Sequence, residues 1–160
     1  MLFRSVAAFR RGARHAKAAG FDAVELHAAN GYLLDQFLRD GCNRRTGPYG
    51  GSIANRARLL LECVDACGAE IGTDRVGVRL SPLNSYNSMM DSDPVALVTH
   101  VARELSQRGT AFLHLMRADF AGRQSGDVVT PARAAVTGAL ILNMGFTRDE
   151  AERTIASGTA

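Results

Sequence analysis

Apolar positions along this chain keep switching between two spacings. Val6, Phe9, Ala13 and Ala16 lie three and four residues apart, which lines them up on one face of a helix that Gly20 ends. Residues 21–27 follow with Val24 and Leu26 in a β-favouring run and read as a short strand. The handover then repeats. Leu59, Leu60, Cys63, Val64 and Cys67 give a helix over 53–71 stopped by Gly72, and residues 75–82 give a second strand closed by Pro82. Asp93 and Pro94 supply an acidic N-cap and a proline at the first helical position, and apolar residues from Val95 to Leu105 carry that helix to Gly109. A third strand covers 112–116, Thr130 and Pro131 open a short helix, and a fourth strand covers 140–143. Thr147 with Glu150 three residues on forms a capping box for the last helix. Residues 30–52 interrupt the rhythm: the segment is long, polar and rich in glycine, with room for a turn or two of helix over 33–39. Connections of that length inside a compact domain tend to carry function.

Strands that alternate with helices, without hairpin turns, imply a parallel sheet with right-handed crossovers. Two architectures satisfy this: an open doubly wound sheet, or part of a (β/α)8 barrel. A whole barrel needs about 250 residues, so four βα units in 160 residues make only a portion of one. No G-x-G-x-x-G follows a strand and no phosphate-binding G-x-x-x-x-G-K-S/T occurs, so the nucleotide signatures of the open fold are missing. The pattern by itself leaves both folds open.

Composition narrows the partners. With 46% hydrophobic and 22% charged residues, the chain has the balance of a single soluble domain. Three cysteines without a C-x-x-C pair argue against a disulfide scaffold and for a reducing, cytoplasmic setting. Cys63 and Cys67, four apart on one helix face, read as buried thiols, since a metal would need two more convergent ligands. The net charge of +3 is carried almost wholly by arginine spread along the chain. No basic cluster is interleaved with aromatics, so nucleic acid is not an expected partner. The longest apolar runs are four or five residues, far below a membrane span of about 18 or more. The first twenty residues contain Arg4, Arg10, Arg11, Arg14 and Lys17 and no acid, the balance of an organellar presequence. The segment runs without a linker into the first strand, so it reads instead as a helix with a solvated basic face.

In either fold, ligands sit at the carboxyl ends of the strands. Those ends are polar here: His27, Asn30 and Tyr32 after the first strand, Arg79 and Ser81 at the second, His114 and Arg117 at the third, Asn143 and Gly145 at the fourth. His27 and Asn30 are placed to donate hydrogen bonds to one carbonyl oxygen, and Tyr32 to supply a proton to a neighbouring carbon. Arg79 puts a fixed positive charge in the same mouth. His114, inside its strand, reads as facing the core or lining the mouth.

The run from Gly20 to Leu33, with His27, Asn30 and Tyr32, continues into Asp35-Gln36-Phe37-Leu38, Asn43-Arg44-Arg45-Thr46, Tyr49-Gly50-Gly51-Ser52 and Asn55-Arg56. Together with Val78 to Pro82, Leu113-His114-Leu115 and Gly145-Phe146, these residues closely resemble the old yellow enzyme family, in its N-ethylmaleimide reductase and ene-reductase branch. The resemblance runs from about Phe9 to the end; residues 1–5 do not follow it. It implies an FMN-dependent barrel, of which residues 1–160 make one incomplete domain holding strands four to seven. It further implies hydride taken from NAD(P)H onto the flavin and passed to an activated alkene, an α,β-unsaturated carbonyl or nitro compound. By position, His27 and Asn30 match the pair that binds the substrate oxygen, Tyr32 the proton donor, Arg79 the cation beside the flavin ring, and Gly145 a backbone position near the FMN phosphate. Met144 stands where a glycine is usual, and Met116-Arg117-Ala118-Asp119 departs from the commoner Glu-Pro-Arg. Half a barrel also implies two open edges through which the chain can self-associate. The alternative expectation is therefore a non-catalytic fragment or assembly module that holds no flavin. An aldolase-like lyase is a weaker rival, because no lysine stands at a strand end.

Overall fold

The computed structural model describes residues 2–160, so Met1 of the leading segment lies outside them. The order is α1 (Leu2–Ala18), β1 (Val24–Ala28), α2 (Leu33–Leu38), α3 (Ile53–Ile71), β2 (Val76–Leu80), α4 (Pro94–Arg108), β3 (Phe112–Met116), α5 (Val129–Ala135), β4 (Ala139–Asn143) and α6 (Arg148–Ala156). All strand pairs are parallel, and the sheet order β1-β2-β3-β4 follows the sequence. A doubly wound sheet reverses its strand order at a switch point; this sheet never does.

The two faces of the sheet differ as a barrel wall requires. Leu26, Ala28, Val76, Val78, Leu80, Leu113, Leu115 and Leu140 are buried and join Leu59, Leu60, Val64, Val98, Val101 and Leu105 of the helices in one core. The intervening residues Glu25, His27, Arg79, Phe112, His114 and Ile141 keep partial or full exposure. Register sets them in rows, with His27, Arg79, His114 and Ile141 side by side. Gly77 belongs to the row beneath, where a Cβ would fall 2.1 Å from the Phe112 ring. The architecture is thus a partial (β/α)8 barrel of four parallel βα units, helices outside and the lumen side open.

Several boundaries differ from the sequence pattern for local reasons. β1 starts at Val24 instead of residue 21, because Gly20 (φ 86°) and Phe21 complete the end of α1. Their N–H groups donate to the carbonyls of Lys17 and Ala16, the double closure that finishes a helix. β2 is shorter than 75–82, with Arg75 in a single 3-10 turn and Pro82 beyond the last paired residue. α5 begins one residue early, as the Asp127 carboxylate accepts the N–H of both Val129 and Thr130.

The basic face of α1 is not simply solvated. Arg10 and Arg14 converge on the Glu70 carboxylate of α3, and Lys17 donates to the Glu70 carbonyl at 2.8 Å. Hydrogen bonds from Arg14 and Arg10 draw the Glu70 carboxyl down to about 2 from an ordinary 4.5. A lowered folded-state value means the pairing contributes fully above about pH 4.5 and is lost as pH falls through about 2. Amide-exchange protection of α1 should therefore drop across that window, and Glu70→Gln should flatten the drop. Identical profiles for the two proteins would show that α1 docks without this pair.

Candidate functional site

The carboxyl ends of β1 and β2 gather most of the polar residues singled out by the sequence. His27 is the last lumen-facing residue of β1 and is the direct register partner of Arg79. The chain then turns sharply: Asn30 (φ 57°) and Gly31 (φ 77°) both occupy the left-handed region, and Asp35 Oδ2 accepts the Gly31 N–H at 2.9 Å. That turn swings Tyr32, the residue before α2, back over the strand end, where its ring meets His27 edge-on at 5.3 Å. Burial and the neighbouring Arg79 cation hold the His27 imidazole below its ordinary 6.5. His27 is therefore neutral at pH 7 and offers one N–H.

Asn30 is fixed by the loop after β2. Its N–H donates to Ser81 Oγ at 2.8 Å, its carbonyl accepts from Asn87 Nδ2 at 3.0 Å, and its Oδ1 accepts from Asn84 Nδ2 at 2.8 Å. What remains is the Asn30 NH2, a donor. A neutral imidazole N–H and an amide N–H from the same turn can polarise one acceptor oxygen, with the Tyr32 phenol alongside.

Of the two places open to it, His114 takes the lining of the mouth, in the row of His27 and Arg79. It sits on the lumen face beside Arg79, with Nδ1 2.9 Å from Glu25 Oε2, an ion-pair geometry that bridges β1 and β3 across Gly77 of β2. No pattern in the sequence joins Glu25 to a residue 89 positions away.

Gly145 lies at the far end of the sheet, past β4. Three inter-strand steps, roughly 14 Å, separate the β1 and β4 rows, so Gly145 does not touch the His27 cluster. Arg117 organises this end. Its Nε donates to the Met144 carbonyl at 2.9 Å, Nη2 to the Gly145 carbonyl at 2.8 Å, and Nη1 and Nη2 to the two Glu150 oxygens at 2.7 and 3.0 Å. The guanidinium also lies 3.6 Å over the Phe146 ring. With every nitrogen engaged, Arg117 is a clamp on the β4–α6 turn. Planar trans peptides place C=O and the following N–H on opposite sides, so turning the Met144 and Gly145 carbonyls toward Arg117 aims the Gly145 and Phe146 N–H groups away from it. Met144 (φ 85°) and Gly145 (φ 70°) are both left-handed, which turns the chain sharply between β4 and α6. An open cleft of about 370 Å³ borders the turn.

The family profile of NADH:flavin oxidoreductase / NADH oxidase matches residues 3–157. The chain belongs to this family. The match begins earlier than the resemblance read from about Phe9, so it takes in nearly all of α1. A protein of Leishmania infantum named "Probable flavin mononucleotide-dependent alkene reductase" is 48% identical over 152 residues, covering 95% of this chain and 41% of the relative. The 12-oxophytodienoate reductase 1 of Oryza sativa subsp. japonica is 42% identical over 157 residues, covering 95% and 41%. The old yellow enzyme from Trypanosoma cruzi superposes with a TM-score of 0.93 at 39% identity, covering 97% of this chain and 42% of that one. The chain thus spans about two fifths of the length of these relatives.

Family membership implies FMN, and the residues present fit it. Arg79 Nε is buried without a protein partner beside His27, as a group reserved for an acceptor would be. Asn143 Oδ1 is likewise buried and unmatched at the end of β4. A cation at β2 and backbone donors after β4 suit a ring that gains negative charge and a phosphate, respectively.

Proposed function

We propose that this protein reduces activated alkenes, α,β-unsaturated carbonyl or nitro compounds, with NAD(P)H as reductant and FMN as cofactor. The observation that carries the reading is the convergence of a neutral His27, a donor-presenting Asn30 and the Tyr32 phenol beside the unmatched Arg79. The chemistry FMN supplies when bound is carriage of hydride from the nicotinamide to the β-carbon of the alkene. His27 and Asn30 hold the substrate oxygen and withdraw electron density from the double bond. Tyr32 gives a proton to the α-carbon. Arg79 stabilises negative charge on the flavin ring, and the Gly145 turn receives the phosphate through its N–H groups.

The test is to load the protein with FMN, remove the excess by gel filtration, and follow NADPH oxidation with 2-cyclohexen-1-one. Retained flavin and enone-dependent turnover are expected. Colourless protein would overturn the reading for this chain and leave the assembly module in its place. Arg117 gives a narrower check. Arg117→Leu frees the Met144 and Gly145 carbonyls to rotate, so FMN affinity should fall about tenfold or more while riboflavin, which has no phosphate, binds nearly as before. An equal loss for both ligands would place the phosphate elsewhere.

No helix among the described residues is long and apolar enough to cross a membrane. A cytoplasmic location accords with Cys42, Cys63 and Cys67, all free thiols. Self-association through the unpaired edges of β1 and β4 accords with the groove beside β1, bordered by Phe9, Val24 and Leu26.

A further inference from the structure

An asparagine amide presents either a donor or an acceptor, depending on which way it is turned, and Asn30 is useful to a substrate oxygen only if its NH2 faces the site. The structure holds a device that decides this. The Tyr86 N–H, which can only donate, reaches Asn84 Oδ1 at 3.4 Å. That fixes the Asn84 amide with Nδ2 toward Asn30, where it donates to Oδ1 at 2.8 Å. Asn30 is turned in consequence, oxygen inward and NH2 outward. Asn84 itself cannot drift: it is fully buried, its N–H donates to the Ser81 carbonyl at 3.0 Å, and its carbonyl faces the Arg39 guanidinium at 3.5 Å. Arg39, also fully buried, donates to the Ser81 carbonyl at 2.8 Å and so pins both ends of the turn.

We propose that Asn84 is a positioning residue that sets the hydrogen-bond polarity of Asn30, through the relay from Tyr86 N–H to Asn84 to Asn30, and thereby selects substrates that present an acceptor oxygen. The proposal rests on the reading of Asn30 as donor to the substrate. A loop residue 54 positions downstream of Asn30 becomes part of the specificity apparatus without touching the ligand.

Asn84→Asp tests it with almost no change in shape. A carboxylate can only accept from Asn30, so the Asn30 amide turns over and offers Oδ1 to the site. The readout is the dissociation constant of 2-cyclohexen-1-one from the oxidised, FMN-loaded protein, followed by the flavin spectrum. Asn84→Asp should weaken this ligand by about tenfold or more, as an attraction is replaced by an oxygen–oxygen repulsion. The donor-bearing 2-cyclohexen-1-ol should lose much less. The double variant Asn30→Ala/Asn84→Asp should bind the enone no worse than Asn30→Ala, because the relay acts only through Asn30. A merely structural role would add its loss to both backgrounds. If the Asp variant does not fold, Asn84→Ala brings no charge into the buried turn and should still weaken the enone a few-fold, again only when Asn30 is present. Wild-type affinity in the Asn84 variants, with Asn30→Ala weakened, overturns the relay and leaves the reading of Asn30 intact. Wild-type affinity in Asn30→Ala removes both.

Discussion

Arg56→Met is expected to lower stability by about 3–5 kcal/mol, the range for breaking a buried ion pair on one side. Arg56 is 4% exposed and pairs with Asp91, whose side chain is fully covered. It also donates to the Leu38 carbonyl at 2.6 Å. Asp91 in turn accepts the N–H of Asp40 at 3.0 Å and of Asp93 at 3.0 Å. One guanidinium and one carboxylate thus tie the end of α2, the first turn of α3 and the segment leading into α4. Methionine replaces the bulk but strands a buried negative charge. Arg56→Met/Asp91→Asn removes that charge and keeps an acceptor for one of the backbone groups, so it should regain a large part of the loss. The urea midpoint of each variant gives the comparison. A double variant no more stable than Arg56→Met would mean that packing, and not stranded charge, dominates at this position.

The pair also shows where reading the sequence runs out. Strands and helices were legible because their signals are local: Asp93 caps α4 by accepting the Ala96 N–H, and Thr147 with Glu150 closes the box at α6. His27, Asn30 and Tyr32 were legible for the same reason, since six residues at one strand end hold all three. Arg39 and Arg56 were not. A charged side chain belongs at the surface by default, and their partners Ser81 and Asp91 lie 42 and 35 residues away. Arg79 stood out as a cation near a strand end, but that it lies directly beside His27 is decided by parallel register, which no local signal encodes. In the sequence Arg117 is part of a departure from the family pattern; only the carbonyls of Met144 and Gly145 reveal it as a clamp. Asn84 sat unnoticed in a polar loop because its function depends on the polarity of two other groups.

Tyr32→Phe should slow alkene reduction by about 10²–10⁴-fold, the usual worth of a positioned general acid, while leaving flavin reduction by NADPH and enone binding near wild type. The substitution is well matched to the question. Tyr32 is 58% exposed and makes an edge contact with His27 at 5.3 Å, which a phenylalanine ring preserves, so neither the fold nor the His27 imidazole should shift. Only the hydroxyl proton is removed. Binding should depend instead on His27, whose pKa is held below its ordinary value by burial and by Arg79, so its imidazole is mainly neutral at pH 7 and enone affinity should be flat on the alkaline side of neutrality in both proteins. Protonation of the ring sets in on the acid side, and the two proteins should depart from the plateau together. Following the two half-reactions separately by stopped flow distinguishes the roles: a slow step confined to alkene reduction, with an unchanged enone dissociation constant, is the signature of a lost proton donor. Unchanged alkene turnover would remove Tyr32 from that role, and a weakened enone dissociation constant with normal turnover would reassign it to binding beside His27 and Asn30.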